Sequence, residues 1–307
     1  MTNIAVAERA KWVGSSESAI LFGVSPFSTL FTIWHQKKGN VPVDDLDHLE
    51  RIQAGKHLEP AIAAWAAEKW PDWSPRNVKE YIEHPRVLGM GASLDFEDVS
   101  SIAGSTLGDD ACPPIEIKNV DWLIFRDHWQ FEGEEILDCP AHYLIQVQHQ
   151  LACRPAAPYA WLLVCVGGNR LLRMRVARHP GVIARIEAEV EAFWESVRDN
   201  VEPAPDFEND GGTLTRLYAV GNGDIVDLSS NERVPALCAK YLEAKEAEKG
   251  WKSIKDASLA EIRSLVGSAS AAACEGFTIK ATNIPGGTVA ASERQPYRRF
   301  TVKEIAQ

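Results

Sequence analysis

The chain has 307 residues, of which 45% are hydrophobic and 24% are charged, an ordinary composition for a globular protein with a sizeable core. Its net charge of −11 argues at first against nucleic acid as a partner. However, nine acidic residues against one arginine between positions 187 and 210 account for most of that charge, so a basic groove elsewhere is not excluded.

The cysteine and hydropathy patterns narrow the class of protein further. The six cysteines contain no CxxC pair, which disfavours a zinc ribbon or an iron–sulfur cluster and favours free thiols. The longest apolar runs, such as YAWLLVCV at 159–166, are too short for a bilayer span, and the N-terminus lacks the layout of a signal peptide. We therefore expect a cytoplasmic protein without a membrane partner.

Two helices are predicted first. The segment 24–40 opens with a capping serine and a proline and closes with a glycine after two lysines, which is typical of a helix with both ends marked. The segment 55–70, GKHLEPAIAAWAAEKW, has apolar residues at helical spacing. This pattern places Glu59 at the start of the second helix, directly before Pro60.

The following elements alternate between strands and helices. Period-two patterns mark strands, a Gly-Gly-Asn turn marks a hairpin, and helical spacing marks two more helices. The predicted order is a strand at 87–98, a loop at 99–114, a strand at 115–119, a helix at 140–153, strands at 158–166 and 170–177, and a helix at about 180–199. This order predicts an α/β fold with a central mixed sheet flanked by helices.

Composition divides the chain into three parts. We expect a core over 1–202, a linker or small hairpin over 203–233, where Pro, Gly, Asp and Asn are frequent, and a C-terminal extension over 234–307. Helical stretches near 235–250 and 257–266, followed by strands in GFTIKATNIPGG and PYRRFTVKE, predict that the extension is α+β.

The stretch PPIEIKN at 113–119 places two charged side chains on one face of a short strand. Ile115 and Ile117 form its apolar face, so Glu116 and Lys118 lie together on the other. Two interpretations are open. One is a half-exposed strand with a surface ion pair, which would contribute little to stability. The other is a metal ligand beside a catalytic lysine.

Residues elsewhere in the chain favour the second interpretation. Glu59, Asp95 and Glu116 could supply the carboxylate oxygens that hard cations such as Mg²⁺ prefer, and Gln146 projects from the next helix. A Lewis acid, an activated water and a lysine that orients the water or balances phosphate charge are what phosphodiester hydrolysis needs. Each residue also has a structural alternative: Asp95 as a turn residue, and Glu59 as a carboxylate favoured at a helix N-terminus.

Several other residues have both a structural and a functional interpretation. His142 and His149 lie seven apart on one helix, where a metal pair is conceivable, although surface or hydrogen-bonded core histidines fit better. Trp34 and Trp65 are predicted to pack in the core, although aromatic rings also stack on bases. The segment YRRF at 297–300 is either a charged strand end or a DNA contact.

Five segments, taken together and in order, carry a family resemblance. They are RAKWVGSSESAILFGVSPFSTLFTIWHQKKG, GKHLEPAIAAW, GASLDF, EIKN and YLIQVQHQLAC, and the similarity extends over roughly residues 9–176. These segments resemble the active-site motifs of the PD-(D/E)XK nuclease superfamily and, within it, the YqaJ-like viral recombinases with the lambda-type phage exonucleases. The resemblance implies a restriction-endonuclease-like core. The chain departs from the family pattern at Leu-Asp-Phe, where Pro-Asp-Gly is usual, and at Asn119, where cysteine is common.

The resemblance implies a metal centre. Asp95 and Glu116 would be the main ligands of Mg²⁺, with Mn²⁺ as a substitute, helped by the backbone carbonyl of Ile117. Glu59 would be an outer ligand or a ligand of a second ion.

The resemblance also implies roles for neighbouring residues. Lys118 would be the catalytic lysine, Gln146 would orient that lysine or the water, and Tyr143 would support the site. The residues expected to bind the DNA 5′-phosphate are Arg9, Ser16, Ser93 and Arg126.

The function implied by the resemblance is a Mg²⁺-dependent exonuclease of a phage or prophage. It would degrade one strand of linear duplex DNA from the 5′ end and leave a 3′ overhang for recombination. A homo-trimer and a single-strand annealing protein are the implied assembly and partner. Two alternatives stay open. One is an endonuclease or repair nuclease of the same superfamily with a different DNA substrate. The other is a non-catalytic DNA-end-binding module, which the intact carboxylate set argues against.

Overall fold

The computed structural model describes residues 9–103 and 108–284, and the chain divides into unit 1, Met1–Leu217, and unit 2, Tyr218–Gln307. The helices of unit 1 are α1 Ser18–Leu21, α2 Leu30–Lys38, α3 Glu50–Lys69, α4 Trp122–His128, α5 Ala141–Cys153, α6 Pro180–Asp199 and α7 Gly211–Leu217. Its strands are β1 Pro75–Asn77, β2 Tyr81–Glu83, β3 Gly91–Ser93, β4 Phe96–Asp98, β5 Pro114–Val120, β6 Gln130–Glu132, β7 Glu135–Asp138, β8 Tyr159–Val166 and β9 Arg170–Ala177. Within the described ranges, none of the helices combines the length and the apolar composition needed to cross a bilayer.

A seven-stranded mixed sheet forms the centre of unit 1. Its strand order is β1-β4-β5-β8-β9-β7-β6. The central pair β5 and β8 is parallel, with Glu116 opposite Leu162 and Lys118 opposite Val164, whereas β4–β5 and β8–β9 are antiparallel. Strands β2 and β3 form a separate antiparallel pair. The predicted α/β class, with a central mixed sheet flanked by helices, is confirmed.

Helices cover both faces of this sheet, because each face of β5 and β8 carries its own apolar residues. One core cluster joins α3 to the sheet and contains Ile62, Ala63, Ala66, Ile115, Ile117 and Leu163. The other joins α5 and α6 to the opposite face and contains Val147, Leu151, Leu162, Val164, Ile186 and Val190. The alternation predicted for β5 is confirmed, since its two isoleucines face α3 and Glu116 faces α5.

The first two helices differ from their predicted bounds. Helix α2 begins at Leu30 rather than in the Ser25-Pro26 region, because the side chain of Thr29 accepts the backbone N–H of Thr32 and caps the helix there. Helix α3 begins at Glu50, so Glu59 lies in mid-helix and its interpretation as an N-terminal carboxylate is wrong.

The two tryptophans predicted to lie in the core differ from each other. Trp34 is fully buried, whereas Trp65 is 37% exposed. The smaller alanines of α3 face the sheet instead of Trp65.

The single strand predicted at 87–98 is two short strands, β3 and β4, with Asp95 in the break between them. Helix α4 and strands β6 and β7, which follow β5 directly, are not predicted by the sequence patterns. These elements have only three to seven residues each, too few for a periodic pattern to stand out.

Part of the segment predicted as a linker or small hairpin, 203–233, packs in unit 1. This part ends with helix α7. Just before α7, the buried carboxylate of Asp210 accepts hydrogen bonds from the hydroxyls of Thr29 and Thr32, which lie near the start of α2. Residues 218–232, all described, contain no strand, so the expected hairpin does not form. The structure therefore ends the first unit at Leu217 instead of at residue 202.

Unit 2 contains one long helix and one hairpin. Helix α8, Arg233–Val266, replaces the two predicted helices, because a single internal glycine, Gly250, costs a helix only about 1 kcal/mol. Strand β10, Ala271–Cys274, pairs with β11, Phe277–Lys280. The second predicted strand, in PYRRFTVKE, and the YRRF segment within it lie outside the described residues.

Candidate active site

Asp95 is fixed in the break between β3 and β4. Its side chain is almost fully buried, and its Oδ2 accepts the backbone N–H of Ile117 on the neighbouring strand at 2.9 Å. The side-chain amide of Asn77 donates to the Asp95 carbonyl oxygen at 3.0 Å. Asp95 is therefore held against β5 by both its side chain and its backbone, which is not the environment of a solvent-facing turn residue.

Glu116 is the most tightly bound carboxylate of the site. It is 3% exposed, and its Oε1 accepts hydrogen bonds from Lys118 Nζ at 2.5 Å and Gln146 Nε2 at 2.6 Å. Its Oε2 accepts a third hydrogen bond from Gln150 Nε2. Burying a carboxylate is costly unless charge and hydrogen bonds offset the lost hydration, and these three donors do so. The interpretation of Glu116 and Lys118 as an exposed surface pair is therefore wrong.

Gln150 is a site residue that the sequence analysis missed. It lies one helical turn after Gln146 on α5 and reaches the other oxygen of the same carboxylate. Residues four apart share a helix face, so the spacing alone could have identified it. Its own Oε1 is buried without a hydrogen-bond partner among the described residues, which leaves one acceptor beside the carboxylate unused.

Lys118 lies between the carboxylates and an aromatic ring. Its Nζ is 5.6 Å from the ring centroid of Tyr143, within the range of a cation–π contact. Burial works against its charge, but the charges of Glu116 and Asp95 outweigh that effect and raise the pKa of Lys118. The lysine is therefore held in its protonated form in this metal-free site, with the ring of Tyr143 in contact with it.

Burial and mutual repulsion disfavour the ionised state of the carboxyl groups. Burial and the charges of Glu116 and Glu59 raise the pKa of Asp95 well above its usual value. Burial, with the charge of Glu116 adding to it, raises the pKa of Glu59 to about 7. A cation among these groups would relieve both effects, since it would replace repulsion by attraction.

The chemistry of the donor set fits a hard divalent cation. Asp95, Glu116 and Glu59 offer carboxylate oxygens, and the backbone of Ile117 adjoins them. Among residues 9–103 and 108–284, however, no three His, Cys, Asp or Glu side chains are already arranged around a common point as metal ligands. The hydrogen bonds of Glu116 explain this, because its two oxygens are both directed at side-chain donors.

A cleft of about 1410 Å³ brings these residues together in unit 1. Its lining includes the carboxylates of Glu59, Asp95 and Glu116, the amine of Lys118 and the amide of Gln146. Residues that are distant in the sequence therefore share one accessible site. Segment 204–216, which the sequence analysis assigned to a linker, forms part of the same wall.

The predicted phosphate-binding residues fall into two groups. Arg9, Ser16 and Ser93 line the cleft with the carboxylates. Arg126 does not line it: this arginine lies exposed on α4 and pairs with Asp127 at 2.7 Å. The position of Arg126 therefore does not support its assignment to the phosphate site. Besides Arg9 and Lys118, the basic residues that line the cleft are Arg51, Lys56 and Arg216.

The histidine pair considered from the sequence is not a metal pair. His149 is fully buried, where Nε2–H donates to the carbonyl of Gly91 at 2.9 Å and Nδ1 accepts from the hydroxyl of Ser18. Burial lowers the pKa of His149 to about 4, so it is neutral. The structural interpretation of His149 is confirmed. His142 instead packs on the ring of Tyr143, with 4.0 Å between ring centroids.

Comparison with known proteins gives a family and several similar structures. The model of the YqaJ-like viral recombinase domain matches residues 6–157. The uncharacterised protein YqaJ of Bacillus subtilis (strain 168) is 29% identical over 243 residues, which cover 78% of this chain and 70% of that protein. The family resemblance inferred from the motifs is confirmed by these matches.

Two solved exonuclease structures are similar to part of the chain. An alkaline exonuclease from Laribacter hongkongensis is 20% identical with a TM-score of 0.45, over 68% of this chain and 97% of that one. A phage related exonuclease from Haemophilus somnus 129PT is 11% identical with a TM-score of 0.43, over 62% of this chain and 95% of that one.

Proposed function

Because the chain contains a YqaJ-like viral recombinase domain, we propose that it is a metal-dependent exonuclease that acts on the ends of linear duplex DNA. The observation that carries the proposal is the buried Glu116, bound by Lys118 and Gln146, in one cleft with Asp95 and Glu59. A buried carboxylate cluster next to a charged lysine is costly for folding, and such arrangements are concentrated at functional sites.

The metal is proposed to be Mg²⁺, with Mn²⁺ as a substitute. Asp95, Glu116 and the carbonyl of Ile117 would hold it, with Glu59 as an outer ligand or as the ligand of a second ion. A divalent cation in this position supplies Lewis acidity at the scissile phosphate and makes water a better nucleophile. To hold the ion, Glu116 would have to free at least one oxygen from its present donors, Lys118, Gln146 and Gln150.

The side chains around the ion would hold the substrate and its charge. In the metal-free site the charges of Glu116 and Asp95 raise the pKa of Lys118, which favours a role as hydrogen-bond donor and positive charge for the phosphate. Gln146 would orient the lysine or the attacking water through its side-chain amide. Tyr143 would keep the lysine in place through the ring contact.

End recognition is proposed to involve other polar residues that line the same cleft. Arg9, Ser16 and Ser93 would bind a terminal 5′-phosphate, which favours degradation of one strand in the 5′ to 3′ direction and leaves a 3′ overhang. The guanidinium group of Arg9 lies 3.9 Å from Asp47, a partly exposed contact that phosphate could replace at little cost.

The biological setting is proposed from the same family membership. The enzyme would act in the bacterial cytoplasm as a phage or prophage protein, and its overhang would be the substrate of a single-strand annealing protein. A homo-trimer is the proposed assembly. Sedimentation velocity on the full-length chain tests the trimer, and a purely monomeric species across the micromolar range would contradict it.

Product analysis tests the proposed activity and its direction. Linear duplex DNA labelled separately at each 5′ and 3′ end, with and without a 5′-phosphate, is incubated with the protein in Mg²⁺, and covalently closed circular DNA is included. We expect mononucleotides from the 5′-phosphorylated strand and an intact circle. Cleavage of the circle would instead indicate an endonuclease. Tight binding of ends without products in either Mg²⁺ or Mn²⁺ would indicate a non-catalytic end-binding module.

A further inference from the structure

An aromatic side chain is exposed inside the cleft. Phe27 is 71% exposed, yet it lines the same cleft as Asp95, Glu116 and Lys118. Single exposed apolar residues are common on protein surfaces, but this ring lies in a concave site whose other walls are rich in charged and hydroxyl groups. Its position therefore points to a ligand that has both a flat apolar face and a charged part.

A line of ring contacts joins Phe27 to the proposed catalytic lysine. The Phe27 and His142 rings meet edge to face, at 5.9 Å between centroids and 89° between planes. His142 packs on Tyr143 at 4.0 Å, and the Tyr143 ring lies 5.6 Å from Lys118 Nζ. These contacts place Phe27 at the other end of an aromatic row that starts at the lysine.

The backbone holds Phe27 in this exposed position before any ligand binds. The side-chain oxygen of Ser25 accepts the Phe27 N–H at 3.2 Å, and Pro26 between them restricts the backbone. The turn begins at Gly23, whose φ of +66° favours glycine, and the N–H of Val24 donates to the carbonyl of Ala19 at 3.1 Å. A ring presented by a fixed turn loses little freedom when a flat ligand stacks on it.

We propose that Phe27 is a stacking platform for one nucleobase of the DNA strand whose phosphate lies at the Asp95–Glu116 site. The inference rests on the proposed function and adds a base-binding subsite to it. Every base has a π-face, so the contact does not depend on sequence, and it holds the strand in register while Lys118 and the carboxylates act on the phosphate. An uncharged ring also avoids the repulsion that the acidic residues of the cleft exert on the backbone.

Alanine substitution gives the expected size of the contact. Removal of one base–aromatic stack weakens binding by about 5- to 140-fold, so Phe27→Ala should weaken DNA binding within that range for any terminal sequence. Phe27→Trp should retain or improve binding, because it keeps a flat ring. Phe277→Ala is the matched control, since Phe277 is 73% exposed but lies on β11 of unit 2.

The test uses the full-length chain and a fluorescently labelled duplex with a short single-stranded end. Binding is measured by anisotropy in Ca²⁺, for the intact DNA and for a set in which one terminal nucleotide at a time is abasic. We expect the wild type to lose affinity at one abasic position, and Phe27→Ala to show the same low affinity for intact DNA and for that abasic DNA. Thermal unfolding of Phe27→Ala should match the wild type, because the ring is exposed.

The outcomes separate this inference from the proposed function. If the wild type binds and degrades DNA while Phe27→Ala binds the intact and abasic set as the wild type does, the stacking platform is wrong and the nuclease assignment stands. The stacking proposal is also wrong if Phe27→Ala loses the same amount of affinity, relative to the wild type, for every DNA in the abasic set. The ring would then act through the conformation of the loop and not on one base. If the wild type neither binds nor degrades DNA, the proposed function itself fails and the platform fails with it.

Discussion

The carboxyl group of Glu59 offers a direct test of the electrostatics of the site. Burial and the neighbouring Glu116 raise its pKa from about 4.5 in the unfolded chain to about 7 in the folded one. The folded state therefore holds the Glu59 proton more strongly than the unfolded state. This contribution to stability is complete below about pH 4.5 and is lost as the pH rises through 7. In the metal-free protein, Glu59 should accordingly contribute less to stability at pH 8 than at pH 4.5.

Glu59→Gln removes this loss, because an amide does not ionise. A shift of this size corresponds to about 3 kcal/mol, and since Glu59 is only half-buried, screening by solvent reduces the figure to about 1–2 kcal/mol. In EDTA at pH 8, Glu59→Gln should therefore melt a few degrees above the wild type, since about 1 kcal/mol moves the midpoint by about 2–4 °C. At pH 4.5 the two proteins should melt at nearly the same temperature.

Near-ultraviolet circular dichroism follows the tertiary unfolding for this comparison. Glu68→Gln is the matched control, because Glu68 lies on the same helix but is exposed. Added Mg²⁺ should stabilise the wild type at pH 8 more than it stabilises Glu59→Gln. Equal midpoints for wild type, Glu59→Gln and Glu68→Gln at both pH values would refute the account of repulsion among the carboxylates.

Three further predictions follow from individual contacts. Gln150→Met should strengthen Mn²⁺ binding by about 10-fold in calorimetry, because Glu116 Oε2 no longer has to give up the hydrogen bond from Gln150, whereas Gln148→Met, whose amide contacts Ala177 and His179 instead, should leave the affinity unchanged; weaker Mn²⁺ binding by Gln150→Met would contradict this. Arg154→Met should lower the free energy of unfolding by about 1–3 kcal/mol in denaturant titrations, because buried Glu97 would keep only Arg76 as a partner; an unchanged midpoint would contradict this. A chain truncated after Leu217 should retain metal-dependent nuclease activity, because each proposed site residue lies in unit 1, and complete loss of activity by a folded truncation would contradict this.

The elements that the sequence predicted well are those with strong periodicity. Strand β5 alternates isoleucines with charged residues, and helix α5 is marked by proline at its start and apolar residues at helical spacing, so both appear with nearly the predicted bounds. Because Glu116 and Lys118 lie on β5 and Gln146 lies on α5, the centre of the candidate site could be predicted from local patterns and family motifs together.

The features that escaped prediction depend on contacts between distant segments. The burial of Asp95 is set by a hydrogen bond to Ile117 on another strand, which no local pattern shows. Asp210 joins unit 1 because two threonine hydroxyls more than 170 residues earlier satisfy its carboxylate, although its own neighbourhood has the composition of a linker. Arg126 has the right residue type for a phosphate contact, but the short helix α4 places it outside the cleft.

The central claim is that Glu116 serves a divalent cation in hydrolysis. The most direct measurement compares degradation of 5′-phosphorylated linear duplex DNA by the wild type and by Glu116→Gln, each in Mg²⁺ and in EDTA. The account predicts that the wild type degrades DNA only in Mg²⁺, and that Glu116→Gln folds normally but loses activity at least 100-fold, on the order of what a catalytic group contributes. Degradation by the wild type in EDTA, or undiminished degradation by Glu116→Gln in Mg²⁺, would contradict it.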